Sequence, residues 1–191
     1  MDRGTLLIAA AAILCLVILA TAIQRIAKRL RPDWRKNPHW VEISEGVGNP
    51  ELFERIYSDF LKASINSSDP TSIEKCSRDT RHGPAHLASL IESKYGRFDK
   101  HTNASIARAF SHKLLTQKNI ARQLNLGITH GIWRHSHAGN PMCPHLRLDG
   151  KRFSLKRGMR EGFRFIYPGC DAGCLCGWSP IVSGFEDDQS Q

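Results

Sequence analysis

The sequence predicts an α+β chain: an N-terminal membrane-type helix, a few amphipathic helices, then a small antiparallel β module. Three observations carry that expectation. An uncharged apolar run stands near the N-terminus, apolar residues then recur at helical spacing as far as Leu124, and after Gly127 the pattern changes to an alternation of period two. At 191 residues the chain suffices for one domain of ordinary size plus an appendage.

Residues 5–23 contain no charge. A helix of that length, at ~1.5 Å per residue, approaches the ~30 Å hydrocarbon core of a bilayer. Arg25, Lys28, Arg29, Arg31, Arg35 and Lys36 follow, against the single acid Asp33. The positive-inside rule then places everything downstream in the cytoplasm, as a single-pass membrane protein. Ala20-Thr21-Ala22 has the small-x-small form of a signal-peptidase site, but the basic residues just beyond it oppose translocation, so an uncleaved anchor over residues 1–36 is preferred. Pro32 ends the helix, and Trp34 and Trp40 are expected at the membrane interface.

Residues 37–104 read as a helical region. Asn49-Pro50 starts one helix, with Asn as N-cap and Pro at the first helical position. Leu52, Phe53, Ile56, Tyr57, Phe60, Leu61 and Ile65 follow at helical spacing. A weaker helix is expected over 84–94, with Leu87, Leu90 and Ile91 inward and Tyr95-Gly96 at its end. A stronger one carries Ile106, Phe110, Leu114, Ala121 and Leu124 on one face, with Gly127 as its C-terminal cap. Its other face is assigned Arg108, Lys113, Lys118 and Arg122.

After Gly127, Trp133, His135 and His137 alternate with Ile132 and Arg134 as in a strand. Asp149-Gly150 signals a hairpin flanked by Leu148 and Phe153. Arg160-Glu161-Gly162 offers another turn, Phe163, Phe165 and Tyr167 alternate after it, and Pro168-Gly169 turns the chain again. Trp133 is expected to anchor the core of this β unit.

The formal charge of +9 is concentrated here. Between residues 105 and 164, Lys and Arg outnumber Asp and Glu by 12 to 2. Such a field points to a polyanion, either nucleic acid or an acidic protein surface. The six cysteines do not read as a secreted disulfide framework, because Cys15 lies in the apolar run, Cys76 stands alone and the others cluster late. A bond within Cys174-Leu175-Cys176 would close too tight a loop, so reduced thiols are expected.

His135, His137, His145, Cys143, Cys170, Cys174 and Cys176 offer the imidazoles and thiolates of a tetrahedral zinc site. The preferred ligands are Cys174, Cys176, His145 and either His135 or Cys143. A structural zinc is favoured over a catalytic one, since Asp149 and Asp171 are the nearest carboxylates in sequence and the turn already explains Asp149. The competing reading is that the cysteines pack as small apolar groups and the histidines hydrogen-bond to backbone.

Residues 128–185, and more loosely back to Ser105, resemble the C-terminal part of the phage Mu protein F-like family, the minor head or head-morphogenesis proteins of tailed phages and prophages. The resemblance rests on Gly127-Ile128, the Trp-Arg-His-Ser-His-Ala-Gly run over 133–139, His145, the Asp-Gly-Lys-Arg-Phe run over 149–153, Pro168-Gly169, Cys174-Leu175-Cys176 and the Pro-Ile-Val-Ser-Gly-Phe run over 180–185. The chain departs from the family pattern at Met142-Cys143-Pro144 and at Gly173 and Leu175.

Glu186, Asp187 and Asp188 mark an acidic tail over 186–191. The resemblance implies a non-enzymatic structural module over residues 105–185 and a location in the virion or procapsid as the alternative to the membrane. It implies portal or capsid proteins, or DNA, as partners. Arg108, Lys113, Lys118, Arg122, Lys151, Arg152, Lys156 and Arg157 would make the contacts. Trp133, His135, His137, Asp149, Gly150, Pro168 and Gly169 would hold the β unit together. Two alternatives stand beside it: a metal-dependent nuclease or hydrolase using the His/Cys cluster, and a membrane-anchored binding module without catalysis.

Overall fold

Asn37-Pro38 and Asn49-Pro50 each start a helix for the same physical reason. The Asn side chain accepts from backbone N–H groups that have no partner in the first turn, and Pro fixes a helical φ. In the computed structural model, which describes residues 13–23, 25, 33–65, 73, 84–136, 143–182 and 184, Asn37 opens α1 (Pro38–Val47) by accepting from the N–H of His39. Asn49 opens α2 (Pro50–Lys62) by accepting from the N–H groups of Glu51 and Leu52. α3 (Pro84–Tyr95) and α4 (Lys100–Asn125) follow, the latter capped by the Asp99 carboxylate.

The α1 helix is not anticipated from the sequence, where Trp40 is assigned to a membrane interface. That assignment is corrected. Trp40 is completely buried and packs edge-on against Phe53, Tyr57 and Phe60. Trp34 packs edge-on against Phe53 and donates to Glu54. The membrane anchor is corrected as well. Among the described residues no helix is long and apolar enough to cross a membrane, so a single-pass membrane protein is not supported. Residues 13–23 are helical, and residues 5–12 of the apolar run lie outside the described residues. The chain divides into two compact units, Met1–Asp33 and Trp34–Gln191.

Within the second unit α4 serves two cores. Ile106, Ala107, Phe110 and Leu114 from its first half join the helical core of Trp40, Phe53, Ile56, Phe60, Leu87 and Ile91. Ile120, with Leu124 against it, joins a second core of Trp133, Leu148, Phe153, Leu155, Cys174 and Cys176. The expected domain boundary after residue 104 therefore falls inside one continuous helix.

The second core lies under a three-stranded antiparallel sheet in the order β2 (Arg152–Ser154), β1 (His130–Arg134), β5 (Gly177–Pro180). Trp133 stands opposite Trp178, and Gly131 opposite Phe153. Gly131 lies so close to its neighbours that a Cβ there would come within 2.8 Å of the Trp178 ring. A separate hairpin pairs β3 (Met159–Glu161) with β4 (Arg164–Ile166). The expected hairpin around Asp149-Gly150 takes another form. Pro144–Leu148 is a 3-10 helix, not a strand, so the turn leads from that helix into β2. His135 and Ser136 follow the end of β1 at Arg134, and His137 lies outside the described residues.

A pH-dependent contact joins α2 to α3. Lys94 Nζ lies 3.0 Å from Asp59 Oδ2, and the Tyr95 hydroxyl donates to the same oxygen at 3.0 Å. Burial acts to raise the Asp59 pKa, but Lys94 and Tyr95 outweigh it and hold the carboxyl below its usual 3.8. A depressed carboxylate stabilises the fold above its unfolded pKa, and that contribution is lost as pH falls through the folded value. Asp59→Asn is therefore expected to lower stability at pH 7 by about 1 kcal/mol, since the pair is only part-buried and solvent screens it. The difference from the parent should close as pH falls below 3.8. Urea titrations at neutral and acid pH check this, and a gap that widens in acid would refute it.

Candidate metal centre

Two loops of different origin meet under the sheet. The first runs through Cys143 into the 3-10 helix Pro144–Leu148, where Pro at the first position suits the start of a helical turn. This short helix is tied to β1 by backbone bonds from Gly150 N–H to the Trp133 carbonyl and from Trp133 N–H to the Lys151 carbonyl, both 2.9 Å. Asp149 Oδ1 accepts from the His135 backbone N–H at 2.8 Å. Asp149 thus ties the end of this helix to the chain just beyond β1, and His145 within the helix is only 8% exposed.

The second loop runs from Pro168 to Cys176 and is clamped by two helices. From α4, the Thr116 hydroxyl donates to the Pro168 carbonyl at 3.1 Å. From α1, Trp40 Nε1 donates to Asp171 Oδ1 at 2.8 Å, and Asn37 Nδ2 donates to the Ala172 carbonyl at 3.1 Å. Gly169 has a left-handed φ of 72°, and a Cβ there would stand 3.1 Å from Thr116 Oγ1 and 3.3 Å from the Cys176 carbonyl. The left-handed φ favours glycine at this position, and the tight contacts add to the cost of any side chain.

The result is a group of four ligand-type atoms, from Cys143, His145, Cys174 and Cys176, all within 4.8 Å of one another. His145 Nδ1 lies 3.4 Å from the sulfurs of both Cys143 and Cys174, and the Cys143 and Cys176 sulfurs are 3.7 Å apart. The sequence left the fourth member open between His135 and Cys143, and the structure places Cys143 in the group and His135 outside it. Cys170 is also outside, and burial pushes its thiol up to about 12.

Electrostatics divide the sulfurs. Interaction with the neighbouring Cys174 thiol holds the Cys176 pKa well below the ordinary thiol value. Burial opposes this, while His145, the Trp133 indole and Cys143 add to it. Cys174 is raised in turn, by its interaction with Cys176 and by burial. Cys143 is raised by burial, against the favourable His145 backbone N–H. The Trp133 indole N–H is buried and has no hydrogen-bond partner among the described residues. The Trp133 ring meets the His145 ring edge-on at 5.4 Å, which fixes the imidazole. Trp133 is thus the expected core anchor and also a wall of the site.

The basic residues separate into two kinds. Arg108, Arg122, Lys151, Arg152, Lys156 and Arg157 are exposed, and Lys118 is half-buried. Lys113 is corrected: it is 9% exposed, and its ammonium donates to the carbonyls of Phe60 and Leu61. Helix geometry accounts for this, because five residues at ~100° each put Lys113 about 140° round from Arg108, beside Ile106 on the apolar face. The angular position is readable from the sequence, although a lysine by type suggests a solvated face. Trp40, Thr116 and Asn37, which position the second loop, are not found by sequence motifs, although the Asn37-Pro38 cap is a signal for the helix that carries two of them.

A scan against protein-family models finds no match to this chain, and searches of the curated proteins and of the solved structures find none either.

Proposed function

We propose that this chain is a structural or interaction protein of the phage head-morphogenesis type, whose C-terminal module binds DNA or an acidic protein surface such as a portal or capsid subunit. The phage-head type rests on the resemblance of residues 128–185 alone, and the observation that carries the polyanion-binding part is the imbalance of charge left over on the folded module. Between residues 105 and 164 there are only two acidic side chains, and both are engaged. Asp149 holds the His135 backbone, and Glu161 pairs with Arg147 and Arg164. The exposed cations Arg122, Lys151, Arg152, Lys156, Arg157 and Arg160 are left to attract a polyanion. Phe163, 92% exposed, and Phe165 project from the β3–β4 hairpin, with Arg160 opposite Phe165, an aromatic and basic mixture suited to nucleic acid.

The alternative of a metal-dependent hydrolase draws on the same Cys/His group. It fits less well, because a hydrolytic metal needs an open position for water, whereas four protein ligands fill a tetrahedral shell.

Gel shifts of the full chain on duplex DNA over a salt series test the DNA half of the proposal. Binding should weaken steeply with salt, and Lys151→Glu with Arg152→Glu should reduce the slope of log affinity against log salt by about 2. Absence of affinity at low salt, or affinity indifferent to salt, removes DNA as the partner. Co-purification with assembled heads or a portal tests the protein half.

A further inference from the structure

We propose that Cys143, His145, Cys174 and Cys176 bind one Zn2+ in a closed tetrahedral Cys3His site that staples the 3-10 helix Pro144–Leu148 to the 168–176 loop. The inference is independent of the partner proposed above and rests on distances. Zn–S bonds of about 2.3 Å and Zn–N bonds of about 2.0–2.1 Å put the edges of a tetrahedron at about 3.8 Å between two sulfurs and about 3.6 Å between sulfur and nitrogen. Three of the six edges are 3.7 Å between the Cys143 and Cys176 sulfurs and 3.4 Å from His145 Nδ1 to each of Cys143 and Cys174, and the other three lie within 4.8 Å. Three edges already match a ligand shell, and the others close to it by shifts of about 1 Å or less.

Cysteines that serve only as apolar filling have no reason to converge. Here four donor atoms from two separate loops lie within 4.8 Å, three of the four residues are buried, and a histidine ring is turned nitrogen-first into the sulfurs. A disulfide explains the arrangement less well. The Cys143 and Cys176 sulfurs stand 3.7 Å apart, far beyond a bond of about 2.05 Å, and a disulfide would leave His145 and Cys174 without a role.

The surroundings orient the histidine: the Trp133 ring meets the His145 ring edge-on at 5.4 Å and holds the imidazole towards the sulfurs. Zinc would displace the remaining thiol protons to solvent. Sulfur-rich tetrahedral coordination selects Zn2+ over oxygen-seeking cations, and four protein ligands make the site structural. Both loops carry little regular structure and depend on tethers from α1, α4 and β1, so a metal between them supplies a crosslink that the small second core lacks.

The test uses the full chain, purified under reductant from zinc-supplemented growth. Elemental analysis should find about one zinc per chain. Replacement by Co2+ should give the thiolate charge-transfer absorption and the intense d–d bands of tetrahedral cobalt. Cys176→Ser should lose at least about tenfold in zinc affinity by competition with a chromophoric chelator, while Cys170→Ser, which alters a nearby thiol outside the group, should keep parental affinity. If Cys176→Ser does not fold, the cobalt spectrum of the parent chain decides. Three results would overturn the proposal: no retained zinc and no charge-transfer band when Co2+ is added to the reduced protein; zinc bound equally well by Cys176→Ser; or a Cys143–Cys176 disulfide found in place of metal by non-reducing peptide mapping.

Discussion

Trp40→Ala is expected to destabilise the Trp34–Gln191 unit by about 3–5 kcal/mol, the usual cost of removing a large buried aromatic. Trp40 is completely buried at the meeting point of α1 and α2, with ring centroids 5.1 Å from Tyr57 and 4.8 Å from Phe60. Its effect should also reach the second loop, because Trp40 Nε1 donates to Asp171 Oδ1, which in turn accepts from the Ala172 backbone N–H. Trp40→Phe separates the two contributions. It keeps most of the apolar volume, removes the donor, and should cost about 1–3 kcal/mol. Denaturant titrations measure both values. Equal stability of Trp40→Phe and the parent would show that the bond to Asp171 contributes nothing to holding the loop.

Lys113→Met is expected to cost about 2–3 kcal/mol even though a lysine is replaced by an apolar residue of similar length. The last carbonyls of a helix have no partners within it. At the end of α2 the Lys113 ammonium supplies donors to the Phe60 and Leu61 carbonyls and lies 4.6 Å from the centre of the Phe60 ring. It also places positive charge at the negative end of the helix dipole. Gln117, one turn further along α4, continues the cap by donating to the Ala63 carbonyl and accepting from the Ile65 N–H. Methionine fills the space but removes the ammonium from both carbonyls, leaving the Phe60 carbonyl with the Ala63 N–H at 3.3 Å. The same variant distinguishes a structural lysine from a binding one. Folded Lys113→Met should bind DNA as the parent does, whereas Arg152→Glu should not. A Lys113→Met protein of unchanged stability but weakened DNA binding would reverse that assignment.

Much of the helical half was legible in the sequence because its signals are local. Asn49-Pro50, the apolar spacing from Leu52 to Phe60, and the stripe Ile106, Phe110, Leu114 each depend on residues within a few turns of one another. The change to period two after Gly127 likewise announced β structure, and Asp149-Gly150 announced a turn, although not which elements it joins. Lys113 misled because a charged side chain reads as surface unless its angular position is weighed against its type. Trp40 misled because an apolar run and a basic cluster upstream suggested a membrane interface, while its actual neighbours lie on α2 and its polar partner lies at residue 171.

By itself the sequence determined the helix start at Asn49-Pro50, the α+β division, the concentration of positive charge and a short set of candidate ligands, since each follows from composition or from near neighbours along the chain. It could not choose between His135 and Cys143, because both are compatible with Cys174 and Cys176 in spacing alone. Only the tertiary structure decided that. Asp149 holds the chain at His135 by its backbone, the 3-10 helix turns His145 inward, and the clamps from α1 and α4 bring residues 174 and 176 to meet Cys143 across a gap of some thirty positions in the chain. A metal site is a condition on distances in space, and distances between remote residues are set by packing.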